Sequence, residues 1–495
     1  MTARVPHEAP RAPETPERTW RYGYVSAEEL RPRHARKRRG ASAQGARAHK
    51  RSGSARAASS RRGVALVVVI TAIAIISVFV ADLIEDTSTE FHVAESERDR
   101  LKAEYLAKSG LNLVRLLLGH ETELRKIIGP IYQMILGRQP PQLNIWDFAD
   151  RLLAPFADFK SAQAMTDETG IDFSVMQGIK DPGGTFEVIT VPENSKINLN
   201  SPLFYGNDMA KNSVAMQLYA LMDGSSLESP YDPMFSARDS DGHFSTRLDI
   251  VSAMIDWWDT DDQRTSFDPG SKTITSAGSE DDIYSQLPDP YAVKNAPFDS
   301  LQELRMVRGV GDDFWATFIE DESGDPRKRN VTIYGSGAVN VNNARPQVLL
   351  ARLCSYVADQ PLCQNPAQML AFISMMETVR ALLPVAMFTT PADFFNFISG
   401  KPNQGFDLYN ALMTFAKADP TMAWTPLVIS PQLQQQLQSM FLTEASIFSL
   451  QSIGTVGRTQ VKLTMVMNTD RTWVPPKGVA ATMPALGVVH YYRME

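Results

Sequence analysis

The chain has 495 residues, 43% of them hydrophobic, and a formal net charge of −7, so it is long enough for more than one packed core. That modest charge hides two opposite parts: residues 1–63 hold 16 Lys and Arg against 5 Asp and Glu, and residues 64–495 hold 33 against 51. An acidic body of that kind is a poor partner for phosphate backbones, which argues against nucleic acid as its partner.

Residues 1–63 are rich in Ala, Ser and Pro and carry Arg36-Lys37-Arg38-Arg39. This leader reads as a solvated disordered arm, as the product of an upstream translation start, or as a segment that meets anionic lipid heads. At Ser60-Arg61-Arg62-Gly63 it gives way to an uncharged run, Val64 to Ala81. Eighteen uncharged positions are at the short end of the roughly 17–25 needed to span a bilayer. A signal-peptide core is the competing reading, but Phe79-Val80-Ala81 makes a poor small-x-small cleavage site. Ser60-Arg61-Arg62 also imitates a twin-arginine export signal. Basic residues before an apolar span predict a cytoplasmic N-terminus and an exported body.

No Gly or Pro interrupts the chain from Val64 until Gly110. From Leu83 the pattern turns amphipathic, with Leu83, Phe91, Ala94, Leu101 and Tyr105 within an arc of about 80° at 100° per residue. That arc is expected to pack against something. The helix-compatible stretch from 64 to 109 would be on the order of 70 Å long, and the helix is expected to reach about Leu118.

Residues 119–183 read as helix and loop. Gly184-Thr185-Phe186-Glu187-Val188-Ile189-Thr190-Val191 alternates and is β-branched, which predicts a strand extending over 184–200. A mostly helical insertion is expected at 201–330, with helices at Val214–Met222 and Asp249–Trp258. Val331–Tyr334 and Val339–Val341 read as strands returning to the same sheet, within 331–345. A second helical insertion follows at 346–443. Strands are expected again within 444–495, at Ser446–Leu450, Gln460–Met467 and Leu486–Tyr492. The fold class is α+β: a long N-terminal transmembrane and amphipathic helix, and one small antiparallel sheet domain with two helical excursions. No internal repeat of fixed period is visible.

A basic leader, a Gly, an apolar helix and an amphipathic continuation resemble the type IV pilin-like proteins. In that family a prepilin peptidase cuts after the Gly and the new first residue is N-methylated, which here implies Gly63 and Val64. Most members carry Glu at the fifth mature position; Val68 stands there in this chain. A buried carboxylate in lipid is costly unless it pairs with a neighbouring subunit, so a subunit without one suits a filament tip. The subfamily that habitually lacks it is the K-type minor pseudopilin of the type II secretion system, or general secretion pathway protein K. The resemblance continues in order through Glu193-Asn194-Ser195-Lys196-Ile197-Asn198-Leu199-Asn200, Asp256-Trp257-Trp258-Asp259-Thr260-Asp261, Gly278-Ser279-Glu280, Pro290-Tyr291, Glu303-Leu304-Arg305-Met306-Val307-Arg308-Gly309 and Asn340-Val341-Asn342-Asn343-Ala344.

The resemblance implies a pilin-like core with SAM-like helical insertions. It implies a single-pass protein of the bacterial inner membrane, N-terminus cytoplasmic and body periplasmic, working in protein secretion and transport. Its partners would be the other minor pseudopilins of a tip complex, the major pseudopilin, the prepilin peptidase and, among exported proteins, the secretion substrates. No nucleic acid is expected. The alternative is a membrane-anchored periplasmic enzyme or binding protein with an uncleaved signal anchor.

Asp256, Asp259, Asp261, Asp262, Glu280, Asp281 and Asp282 crowd one polar segment. Calcium takes six to eight hard oxygens, and such clusters supply them. Asp259 cannot open an EF-hand loop, because Arg264 stands where Gly is required. The resemblance implies a structural Ca2+ here, with Asp259, Asp261 and Glu280 as ligands; a solvated acidic loop is the other reading. Val307-Arg308-Gly309-Val310-Gly311 resembles a helix-hairpin-helix turn, but Asp312, Asp313, Glu320 and Asp321 oppose phosphate. Cys354 and Cys363 form a disulfide or remain two thiols. There is no G-x-S-x-G, no phosphate-binding Gly-Lys-Ser/Thr and no H-E-x-x-H, so neither a catalytic site nor a catalytic cofactor is expected and the chain reads as a non-enzyme.

Overall fold

The computed structural model describes residues 59–136, 142–157, 163–164, 167, 183–201, 208–224, 228–238, 242, 244–287, 289–382, 386–402, 408–416, 423–469 and 487–495. Nearly all of the basic leader therefore lies outside the described residues. The chain divides into two compact units, residues 1–83 and Ile84–Glu495.

In the first unit, helix α1 (Ser59–Gly119) begins before Gly63 and carries the apolar run. Every large apolar side chain from Val64 to Leu83 is exposed. It is long and apolar enough to cross a membrane.

In the second unit, the rest of α1 packs on a sheet. Ala103, Leu106, Ala107, Gly110, Leu111, Val114 and Leu118 are buried, at helical spacing. This is the face opposite the apolar arc read from the sequence. Leu101 and Tyr105 are 55% and 67% exposed, and Phe91 65%. At 100° per residue the centre of the stripe Phe91, Ala94, Leu101 and Tyr105 lies roughly 155° from that of Ala103 and Gly110. The sheet selects the other face because that face is small. A Cβ on Gly110 would lie 2.4 Å from Ser452 Oγ, and one on Gly454 would lie 2.0 Å from the Ala103 carbonyl oxygen. Helix and sheet backbones thus approach more closely than any side chain would allow.

Helices α2 (Glu121–Leu136) and α3 (Ala149–Ala157) follow. The four-stranded antiparallel sheet has the order β1-β8-β9-β10, from β1 (Gly184–Pro192), β8 (Ile447–Val456), β9 (Thr459–Asn468) and β10 (Val488–Met494). Its register runs from Gly184 opposite Val456 to Pro192 opposite Phe448. Val456 pairs with Thr459 across a tight turn in which Gly457 has φ +58°. The core against α1 contains Phe186, Val188, Leu450, Leu463 and Met465, closed by Trp146 with its ring 5.1 Å from Phe448.

The expected strand at 184–200 does not run through. β1 ends at Pro192, a single 3-10 turn occupies Glu193–Ser195, and β2 (Ile197–Asn198) joins another sheet. The chain then enters α4 (Asp208–Leu221), α5 (Arg247–Trp258) and the hairpin β3 (Gln263–Asp268) and β4 (Thr273–Ser279). It returns at β5 (Val331–Thr332), parallel to β2. β6 (Val339–Asn340) then leads to α6 (Pro346–Val357), α7 (Pro361–Gln364), α8 (Pro366–Leu382), α9 (Pro391–Ile398), α10 (Leu408–Ala416) and α11 (Pro431–Gln438). β7 (Phe441–Leu442) closes this part, parallel to β6. Strands at 331–334 and 339–341 thus exist in shorter form, but they do not return to the antiparallel sheet. Each has its own parallel partner, chosen by a long-range contact that local alternation cannot reveal.

The two excursions share a construction. Ile197 and Leu199 N–H donate to the Asn330 and Thr332 carbonyls, and Val339 and Val341 N–H donate to those of Met440 and Leu442. Asn200 clasps Phe298, donating to its carbonyl at 3.0 Å and accepting from its N–H at 3.1 Å. Asn342 clasps Phe388 in the same way, both at 2.9 Å. A capping box follows each clasped Phe, at Ser300 with Glu303 and at Thr390 with Asp393. The unit is duplicated, but its two copies differ in length, so no fixed period could show in the sequence. The common signal was Ile-Asn-Leu-Asn at 197–200 and Val-Asn-Val-Asn at 339–342.

Candidate cation site and membrane helix

The acidic segment is assembled by α5 and the β3–β4 hairpin. α5 starts at a capping box, Thr246 with Asp249, and buries Ile250 through Trp258. Asp256 lies on its last turn, and Asp259 ends it, its N–H donating to the Ile255 carbonyl at 3.0 Å. The hairpin pairs Gln263 with Ser279 and so brings Glu280 back to the helix end. Gly278 just before it adopts φ +91°, the left-handed region that glycine enters freely.

Asp256, Asp259 and Glu280 are buried, and one oxygen from each lies within 4.8 Å of the others. Asp256 accepts from the Thr265 N–H at 2.8 Å. Asp259 accepts from Lys211 Nζ at 3.0 Å. Both oxygens of Glu280 and Oδ1 of Asp259 are buried with no hydrogen-bond donor among the described residues. Burial and the charges of Asp256 and Asp259 push Glu280 up to about 8. Burial likewise pushes Asp256 up to about 6, and raises Asp259 against the pull of Lys211. Buried carboxylate oxygens without donors are costly and are the hard ligands a divalent cation takes. The residues present therefore fit such an ion.

The structure brings together two of the three sequence-chosen ligands, Asp259 and Glu280. Asp261 is not in the buried group: its side chain is 49% exposed, and it accepts from the Gln263 N–H at 3.0 Å as a turn cap. Asp256, one helical turn back from the helix end, takes its place. Its adjacency to Asp259 at i, i+3 was the available signal.

Gly63 and Val64 both lie within α1. Cys354 on α6 and Cys363 on α7 are joined, with Cα atoms 5.5 Å apart. The Gly309 turn has φ +82°, and a Cβ there would lie 2.6 Å from Ile250. Arg305 beside it pairs with Asp312 and covers the Trp315 ring at 4.4 Å. That turn is a packing joint against α5.

Residues 195–318 match the family described as Type II secretion system (T2SS), protein K. The match covers about a quarter of the chain. The matched segment begins at Ser195, just before the first Asn-x-Asn element, and takes in α5, the carboxylate cluster and the Gly309 turn, close to one whole excursion. A chain in the crystal structure of the GspK-GspI-GspJ complex from the enterotoxigenic Escherichia coli Type 2 Secretion System is 15% identical over 63% of this chain and 80% of that one, with a TM-score of 0.32. No curated protein matches.

Proposed function

We propose that this protein K homologue is a minor pseudopilin at the tip of the pseudopilus, acting in its assembly and in secretion across the outer membrane. The observation that carries the reading is the two-faced helix. One face of α1 is spent on the protein's own sheet. The other presents Phe91, Leu101 and Tyr105 to solvent, and in sequence it follows a stretch apolar enough to lie in lipid. An apolar stripe of that kind is stable when neighbouring helices cover it. Prepilin peptidase would cut between Gly63 and Val64, and Val68, uncharged, would leave the tip subunit without a docking carboxylate.

We also propose that Asp256, Asp259 and Glu280 hold a structural Ca2+. It would neutralise three buried carboxylates and tie the end of α5 to the hairpin. Lys211, already on Asp259, limits the excess negative charge.

The deciding experiment is N-terminal mass spectrometry on protein extracted from its native membrane. A chain beginning at N-methylated Val64 and co-purifying with the other minor pseudopilins and the major pseudopilin supports the reading. A chain that keeps residues before Gly63 overturns pilin-type maturation and supports a signal-anchored periplasmic protein.

A further inference from the structure

A second concave site, which shares no lining residue with the carboxylate cluster, lies between the two duplicated units. It is a cleft of about 410 Å3 formed by α4, α6, the 336–338 turn and α11, within the range of roughly 300–1,000 Å3 usual for small-ligand sites. Among the described residues, its lining contains Arg352 and Lys272 and no Asp or Glu. That is unexpected in a body where acidic residues outnumber basic ones 51 to 33. Arg352 is buried, at 6% exposure, and its Nη1 donates to Ser213 Oγ at 3.2 Å. Its guanidinium lies 6.0 Å from the Tyr356 ring centre. Lys272 sits at the tip of the β3–β4 hairpin with φ +55°, and its Nζ donates to the Tyr356 carbonyl at 3.2 Å. Its own carbonyl accepts from Asn212, so the hairpin tip is tied across the mouth. Hydroxyls of Ser213 and Tyr356 flank the cations, and Met216 and Met440 supply apolar wall.

A buried guanidinium with a second cation and hydroxyls around it is a recognition set for a planar anion that can take paired N–H donors. The methionines suit an aliphatic body attached to that anion. We propose that this cleft binds a carboxylate-bearing ligand, with Arg352 as its fork and Lys272 as the lysine at the mouth. The carboxylate could belong to a free small acid or to the C-terminus of a polypeptide. The proposal stands independently of the pseudopilin reading, because it uses only this chain's own cleft.

The test is calorimetric titration of the full chain in nonionic micelles. The probes are succinate, a short acetylated alanine peptide with a free C-terminal carboxylate, the same peptide as its amide, and inorganic phosphate. Saturable binding of succinate or the free-acid peptide is expected, without binding of the amide. It should weaken about tenfold or more in both R352M and K272M. Succinate alone identifies a small acid as the source, and the free-acid peptide alone a polypeptide terminus. Lys272 is exposed, so K272M keeps the readout available should R352M fail to fold. No saturable heat up to roughly 10 mM, or an affinity unchanged in K272M, overturns the site. Tighter binding of phosphate than of either carboxylate overturns the ligand class.

Discussion

Glu193 and Lys196 are both almost fully buried, and Lys196 Nζ donates to the Glu193 carboxylate at 2.7 Å. Thr332 on β5 donates to the same carboxylate. Burial acts to raise Glu193, but the Lys196 charge and these hydrogen bonds outweigh it and hold the carboxyl below its usual range. The neighbouring Asn194 accepts from the N–H groups of Ser446 and Ile447, at 3.0 and 2.9 Å. This turn therefore ties the antiparallel sheet to the first excursion. Removing one charge of a buried pair leaves the other unpaired, so Glu193→Gln is expected to cost about 3–5 kcal/mol by denaturant unfolding. Replacing both, as Glu193→Leu with Lys196→Met, should recover most of that loss. Equal loss in the single and double variants would show that the pair is not the joint. At the carboxylate cluster, Asp256→Asn and Glu280→Gln should each weaken calcium binding strongly, whereas Asp261→Asn should change it by no more than about threefold. Calorimetry with calcium on the full chain separates these. A large effect at Asp261 with none at Asp256 would restore the ligand set read from sequence.

At the scale of elements, α1 is a helix with two different jobs on its two faces. Its own core uses Ala103, Ala107 and Gly110 because the sheet comes within backbone distance at Gly454. Gly454→Val would drive a side chain into the Ala103 carbonyl and the Ala107 N–H. Neither can retreat without moving the helix, so a loss of about 3 kcal/mol or more is expected. Gly311→Ala is the matched control: nothing lies within 4 Å of its added Cβ, and its backbone is not left-handed. Thermal unfolding that treats the two variants alike would refute the close helix–sheet approach.

At the scale of the whole molecule, the second unit contains two cores. One joins α1 to the antiparallel sheet, and the larger one fills the duplicated helical units. The outer stripe of α1 belongs to neither. Leu101→Glu with Tyr105→Glu should therefore leave the unfolding transition within about 2 °C of the parent, since exposed changes away from packing sites usually cost little. The same variant should fail to co-purify with the partner pseudopilins. A variant that unfolds early would place the stripe in the protein's own core, and one that retains its partners would place the interface elsewhere.

Much of the fold was legible along the chain. The apolar span, the helix end near Leu118, a strand beginning at Gly184 and strands read at 446–450, 460–467 and 486–492 are written in local hydropathy and alternation; the observed strands stop at Pro192 in the first case and run on to Val456, Asn468 and Met494 in the others. These depend on backbone periods of 3.6 and 2 residues, which each segment carries within itself. Three matters were settled only by tertiary contact. Phe91, Leu101 and Tyr105 form a better apolar stripe than Ala103 and Gly110, yet the sheet takes the small face because Gly454 allows the backbones to meet. Val331 and Val339 look like strands of the main sheet, but the Asn200 and Asn342 clasps hold them beside partners near in space and far in sequence. Asp261 looks as good a candidate as Asp256 along the chain, and only the hairpin that returns Glu280 shows that it is Asp256 that joins the buried carboxylate group. Periodicity states which way a side chain points from its own element. What it meets there depends on residues a hundred or more positions away.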